Sequence, residues 1–163
     1  MSRIIPFLWF DTQAEEAAEF YTSIFENSRI LEVVPKGPET PGPETPTLTV
    51  RFELDGTEFV ALNGGPEHYG FNESVSFVVT CKNQPEVDHY WSRLTDGGAE
   101  GPCGWLKDRY GLSWQIVPSQ LTALLGDPDP ARAGRAMRAM LAMNKLDIDL
   151  LERAAEGEEL PVT

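Results

Sequence analysis

Basic residues, histidine and cysteine are all scarce in this chain. Its 163 residues carry 13 Lys plus Arg against 26 Asp plus Glu, a formal charge of −13 with both histidines neutral. Nucleic acid is therefore not an expected partner, because duplex binding is driven by Lys and Arg displacing counterions from phosphates. The two cysteines, Cys81 and Cys103, fall short of the dense framework of small secreted domains. They read as thiols of a reducing compartment, and the cytoplasm is the expected location. The opening MSRIIPFLWFD has a basic residue and an apolar run, but Asp11 follows at once and no small-residue cleavage site appears. No later run approaches the length needed to span a bilayer, so no membrane partner is expected. The length suits a single core, since a chain of this size buries roughly two thirds of its unfolded surface.

The order of elements follows from periodicity. Ile4 to Phe10 is short, aromatic-rich and ended by Asp11, which predicts a strand. A helix should begin near Ala14, with Ala17, Phe20, Tyr21 and Ile24 on one face and Glu15, Glu16 and Glu19 toward water. Strands are predicted over Arg29 to Val34, Thr47 to Leu54 and Thr57 to Asn63, the last two joined by the hairpin dipeptide Asp55-Gly56. The pattern is βαβββ. After Asn63-Gly64-Gly65-Pro66 it starts again, with a strand over Ser74 to Cys81, a helix in PEVDHYWSRL and a hairpin of Leu106 to Arg109 with Leu112 to Val117.

The helices superpose without a gap at an offset of 70: Phe20-Tyr21 on Tyr90-Trp91, Glu16 on Glu86, Ile24 on Leu94, with Phe7 on Phe77 in the preceding strand. Gly56 and Gly111 match at an offset of 55, so the first copy carries 70 − 55 = 15 extra residues after its helix. Pro35 to Pro46 supplies them as two tandem copies of GPETP, read as a solvated proline-rich flap. Duplication of a βαβββ unit accounts for these matches, and two such sheets can enclose a cleft for ligand.

Beyond Pro118 the chain turns helical. Ser119 is placed to cap a short helix, Ala131 to Asn144 forms a second with Met137 and Met140 on one side, and Ile148 to Ala155 a third. The methionines read as packing.

Four segments, IIPFLWFDTQAEEAAEFYTSIF, NGGPEHYGFNESVSF, GWLKDRYGLSWQIVP and AMLAMNKLDIDLLERA, resemble the PhnB-like family. That family's domain carries the label 3-demethylubiquinone 3-methyltransferase. It belongs to the vicinal oxygen chelate superfamily with glyoxalase I, extradiol dioxygenases and bleomycin resistance proteins. The resemblance implies an α+β fold, the glyoxalase/bleomycin resistance fold: duplicated βαβββ modules forming a cup-shaped open barrel with a C-terminal helical tail, usually as a homodimer. The chain then divides into a first module at 1–65 with the flap at 35–46, a second at 66–118, and a tail at 119–163.

In metal-dependent relatives, four strand residues of His or Glu type hold a divalent ion. Carried onto this sequence, the last falls on Gln115. The others fall on Ile5 or Pro6, Val60 or Ala61, and Val75 or Ser76. None is His or Glu, so neither the superfamily metal nor any other cofactor is expected. The methyltransferase label finds no support either, because the turn after the first strand, Asp11-Thr12-Gln13-Ala14, lacks the glycine that close cofactor approach needs.

The expected ligand-binding residues are Phe7, Trp9, Asn63, Ser76, Trp105 and Gln115. Alternation in SWQIVP sets Gln115 on the face shared by Ser113 and Val117, opposite Trp114 and Ile116. Its amide either meets a ligand or bonds a neighbour such as Ser76. Phe7, Trp9 and Trp105 either line an apolar pocket or fill the core. Asn63 and Phe71 flank the joint between modules, Asn63 as a rim or turn residue. His68 and His89 sit off the strands and read as solvated, as does Lys107-Asp108-Arg109. The leading functional expectation is a protein that binds a small aromatic or oxygen-rich molecule in the cup. The alternatives are a metal-independent isomerase or lyase, for which no cup carboxylate is assignable and Glu53 and Glu58 lie nearest, or a dimeric interaction module with a vestigial cup.

Overall fold

A computed structural model describes residues 3–66 and 69–158. The chain divides into two compact units, Met1–Gly70 and Phe71–Thr163. The first runs β1 (Phe7–Phe10), α1 (Ala14–Thr22), β2 (Arg29–Pro35), β3 (Thr47–Leu54) and β4 (Thr57–Asn63). Its four strands lie in the order β1-β4-β3-β2. Strand β1 is parallel to β4, with Phe7 opposite Val60, and the other pairings are antiparallel.

One face of this sheet is packed against α1. Leu8, Phe10, Val50, Phe52, Phe59 and Ala61 are buried on it. Helix α1 packs there through Ala14, Ala17, Ala18 and Tyr21. The small alanines let helix and sheet approach closely, and Tyr21 stacks on Phe52 at 6.1 Å, which stacks on Phe59 at 5.5 Å. The β3–β4 turn uses Asp55 and Gly56 at φ of 43° and 77°, the paired positive values a type I′ hairpin requires. The segment between β2 and β3 is tied at its base: Lys36 N donates to Pro46 O at 2.9 Å, and Lys36 Nζ reaches the carbonyls of Gly42 and Pro43. After β4 the backbone runs against an indole. A Cβ added at Gly64 would lie 2.2 Å from the Trp9 ring, and Trp9 Nε1 donates to Gly65 O at 3.1 Å.

The second unit repeats the plan with β5 (Ser76–Cys81), α2 (Gln84–Thr95), β6 (Ala99–Glu100), β7 (Trp105–Lys107) and β8 (Ser113–Pro118). The order β5-β8-β7-β6 and the parallel β5–β8 pair reproduce the first module. The copies therefore share topology, and the duplication is real. The gapless superposition holds for the helices but slips by one on the leading strand. Phe10 pairs with Asn63, and Cys81 with Pro118, so the strand offset is 71 while the β4-to-β8 offset stays 55. Phe7 consequently points away from α1 and is 60 % exposed, whereas Phe77 lies beside buried Trp114 with ring centroids 5.6 Å apart. A single-residue slip exchanges the two faces of a strand.

Three helices complete this unit: α3 (Gln120–Leu125), α4 (Pro130–Leu141) and α5 (Ile148–Glu156). Leu121, Ala139, Leu146, Leu151 and Ala154 form their core, with Met140 and Met143 packed against it. Met137 and Leu141 remain exposed. Ser119 does not cap α3, since its side chain makes no cap bond. Helix α4 stops short of Asn144: Ala142 N and Met143 N tighten to the i−3 carbonyls of Ala139 and Met140, at 3.1 Å each, and the Met143 and Asn144 carbonyls that follow accept from Cys103 N and Gly104 N at 2.7 and 2.8 Å. Gln84 fastens the tail to α2, donating to Leu146 O at 3.1 Å and accepting from Ile148 N at 2.9 Å.

The charged hairpin segment is not uniformly solvated. Asp108 is 2 % exposed, and its Oδ1 accepts from Tyr110 N at 2.8 Å and Leu112 N at 3.1 Å. Its Oδ2 accepts from Trp114 Nε1 at 2.9 Å, so one carboxylate shapes the β7–β8 turn and seats a core indole. Asp108→Ala strands these buried donors and should lower unfolding free energy by about 3 kcal/mol in urea titration. Gly64→Ala forces the Trp9 ring aside and should cost about 1–3 kcal/mol, with a changed near-ultraviolet dichroism spectrum.

Candidate functional site

In the second module the face turned away from α2 carries the polar groups. Alternation along β5 and β8 puts Ser76, Val78 and Thr80, with Ser113, Gln115 and Val117, on that open face. Trp114 and Ile116 are buried on the other. Register forms two rows. Trp105, Gln115 and Val78 are cross-strand neighbours in one, and Lys107, Ser113 and Ser76 in the next.

Gln115 Nε2 donates to Ser76 Oγ at 2.9 Å, so two expected site residues from separate strands meet. A cavity of about 570 Å³ is lined not by this pair but by their cross-strand neighbours Trp105 and Ser113, with Lys107, Ala99, Pro102 and Glu73. Lys107 Nζ and a Glu73 carboxylate oxygen are 2.7 Å apart, and this ammonium holds the Glu73 carboxyl below its ordinary range. Glu100 is turned toward α2, where Trp91 Nε1 donates to it at 2.9 Å. Ser113 is fully buried and its Oγ has no hydrogen-bond partner among the described residues.

The open face of the first module is different. Phe7, Trp9, Val60 and Leu62 share it with Arg51, Glu53 and Glu58. Arg51 donates to Glu58 Oε1 through Nε at 2.9 Å and Nη2 at 2.7 Å, and to Glu32 at 2.9 Å. Glu58 is the better shielded partner, its side chain 11 % exposed. An open-face carboxylate therefore exists where the motif reading placed none. Period-two alternation in TLTVRFEL and TEFVALN sets Arg51, Glu53 and Glu58 on one face, which was the available signal.

The remaining expected residues separate. Asn63 is 2 % exposed and faces α1, not the open side. Its Oδ1 accepts from Ala14 N at 2.8 Å and its Nδ2 donates to Thr47 O at 3.0 Å. It thus caps α1 from a distant strand, a service Gln13 does not perform, and both ends of its amide are engaged. His89 packs edge-on against Tyr90 at 5.0 Å on α2, and His68 lies outside the described residues. Burial pushes the Cys81 thiol up to about 12, which removes its thiolate at neutral pH.

The metal of the superfamily needs anionic or imidazole donors. Among the described residues no group of three or more His, Cys, Asp or Glu side chains is placed to hold an ion. On the open face of β5 and β8 the donors are three hydroxyls, of Ser76, Thr80 and Ser113, and the Gln115 amide, and on β4 Glu58 is engaged by Arg51. This donor set does not fit a divalent transition ion.

Comparison with known proteins places this geometry. No curated protein matches the chain. A family model described as 3-demethylubiquinone-9 3-methyltransferase matches residues 2–117, leaving α3, α4 and α5 outside the match. A PhnB protein from Bacillus cereus is 32 % identical, with a TM-score of 0.66 over 72 % of this chain and 100 % of its own. A protein from Pseudomonas aeruginosa, 17 % identical, reaches a TM-score of 0.61 over 72 % of this chain and 98 % of that one. The fosfomycin resistance protein FosX from Listeria monocytogenes, in complex with Mn(II) and sulfate, is 14 % identical, with a TM-score of 0.53 over 76 % of this chain and 94 % of that one. The last two likenesses concern fold alone, the glyoxalase/bleomycin resistance fold already traced in β1–β8. Matched over more than half its length, with a structural relative at 32 % identity, the chain belongs to the PhnB-like family described as 3-demethylubiquinone-9 3-methyltransferase.

Proposed function

We propose that the chain binds a small, planar, oxygen-bearing molecule on the open face of its second module, without a resident divalent metal. The observation that carries this reading is the Gln115–Ser76 hydrogen bond, held at 2.9 Å one strand-neighbour away from Trp105 and Ser113, which line the cavity. With Nε2 engaged, Gln115 keeps a carbonyl oxygen to accept, and Ser76 keeps a hydroxyl proton to donate. Trp105 supplies apolar surface for a ring. Phe7 and Trp9 offer similar aromatic surface on the first module. Asn63 has no part in this site.

Methyl transfer does not follow from the family description. The sheets are mostly antiparallel, and the turn Asp11-Thr12-Gln13 has no glycine at the close approach that a dinucleotide-type cofactor site requires. A second reading, a metal-independent isomerase or lyase, draws support from Glu58 as an open-face carboxylate. Arg51 holds this carboxylate in place, donating to Oε1 from Nε at 2.9 Å and Nη2 at 2.7 Å, and a positioned carboxylate is what a general base needs.

Native mass spectrometry of the purified chain should reveal a bound organic molecule, and thermal-shift screening should find aromatic carbonyl or hydroxyl compounds that raise Tm. Trp105→Ala should weaken such binding about 5- to 30-fold with little change in folding, as loss of an aromatic contact of about 1–2 kcal/mol implies. Stoichiometric Zn, Mn, Ni or Fe in untagged protein would refute the metal-free reading. The family resemblance also implies a homodimer, for which Met137 and Leu141 supply exposed apolar surface. Light scattering at micromolar concentration should give twice the 18.1 kDa chain mass, and a monomer mass would overturn this.

A further inference from the structure

Ser113 presents a hydrogen bond that the fold leaves unmade. Its hydroxyl oxygen is shielded from solvent and has no partner among the described residues. A buried, unpaired hydroxyl opposes folding, and alanine would fill the same volume without that penalty. The position is not a remote corner of the core. Ser113 lines the same cavity as Trp105, in the cross-strand row between Lys107 and Ser76.

Three charged side chains line the cavity, two carboxylates and one ammonium, and each already has a partner. Lys107 and Glu73 neutralise each other at 2.7 Å, and Glu100 is engaged by the Trp91 indole at 2.9 Å. An anionic ligand would have to compete with Glu73 for the one ammonium lining the cavity, in a chain already at −13. A cation would find Glu73 already paired with Lys107 and would have to draw Glu100 away from the Trp91 indole. A neutral acceptor meets neither obstacle.

We propose that the Ser113 hydroxyl donates to a neutral carbonyl oxygen of a planar, largely apolar ligand seated against Trp105. This names the ligand class for the binding site described above and rests on that reading. Because Ser113 is shielded, the ligand oxygen reaches it by displacing neighbouring side chains. Lys107 and Glu73, with side chains 41 % and 60 % exposed, are the ones free to yield. An ion pair this exposed is weak, so moving it costs little. The orphaned hydroxyl is then a group whose partner arrives with the ligand.

The test uses the full chain and three probes of similar outline: acetophenone, which has a neutral carbonyl; isopropylbenzene, which has no oxygen; and benzoate, which is anionic. Binding is read from the Trp105 indole N–H resonance, assigned with Trp105→Phe. Acetophenone should move that resonance and bind about tenfold more tightly than either other probe, the ratio one good hydrogen bond provides. Ser113→Ala should melt at higher temperature than the parent without ligand. It should also bind acetophenone about tenfold more weakly, with isopropylbenzene unchanged. Equal acetophenone affinity in parent and variant, or a lower melting temperature for the variant, would overturn the role of Ser113 while leaving the binding site standing. Tighter binding of benzoate would overturn the neutral class. If none of the probes moves the Trp105 resonance, the binding site itself is wrong and this proposal falls with it.

Discussion

One-sided burial of a small sheet is the constraint from which the rest follows. Each βαβββ module has four strands and one helix, enough to cover one face of the sheet. Period-two alternation then assigns every strand residue either to a packed interior or to an open surface. On the covered face the side chains are Leu8, Phe52, Phe59 and Ala61 in one module and Trp114 and Ile116 in the other. On the open face polar groups are tolerated, and that is where Arg51, Glu58, Ser76 and Gln115 stand. The parallel pairing of first and last strands, β1 with β4 and β5 with β8, fixes which of these become neighbours.

Buried polar groups show how the fold spends its hydrogen bonds. Asn63 uses both ends of its amide, one on the α1 terminus and one on β3. Asp108 uses both oxygens to close a turn and seat an indole. These two are complete within the chain and serve the fold. Ser113 is incomplete, and its place on the open face of β8 separates it from them. Because an unmet buried hydroxyl opposes folding, what distinguishes a binding group from a structural one here is whether its partner is already present.

Periodicity made the element types and their order legible over most of the chain. Helical spacing in AEEAAEFYTSIF and PEVDHYWSRL, the Asp55-Gly56 hairpin and the repeat offset all correspond to elements of the structure. The two-residue strand β6 carried no periodic signal, being too short to alternate. Element ends were less legible, because they depend on single backbone hydrogen bonds: α4 gives way to i−3 bonds at Ala142 and Met143, and the residues after it are tied to Cys103 and Gly104 far back in the chain. Of the candidate site, the Gln115–Ser76 contact was readable as an alternative, since alternation fixed the face of Gln115. The capping role of Asn63 was not, because its partner Ala14 lies 49 residues away.

Amino-acid order alone determined the duplication, the face of each β8 residue and the lack of imidazole or carboxylate at the positions the resemblance assigns to metal. These are local or internally periodic properties, and a chain carries them before it folds. Only tertiary structure decided that Phe7 and Phe77 occupy opposite faces, that Asp108 is interior, and that Ser113 is left without a partner. Each of these depends on strand register and on contacts between residues distant in sequence, where a shift of a single position exchanges inside for outside.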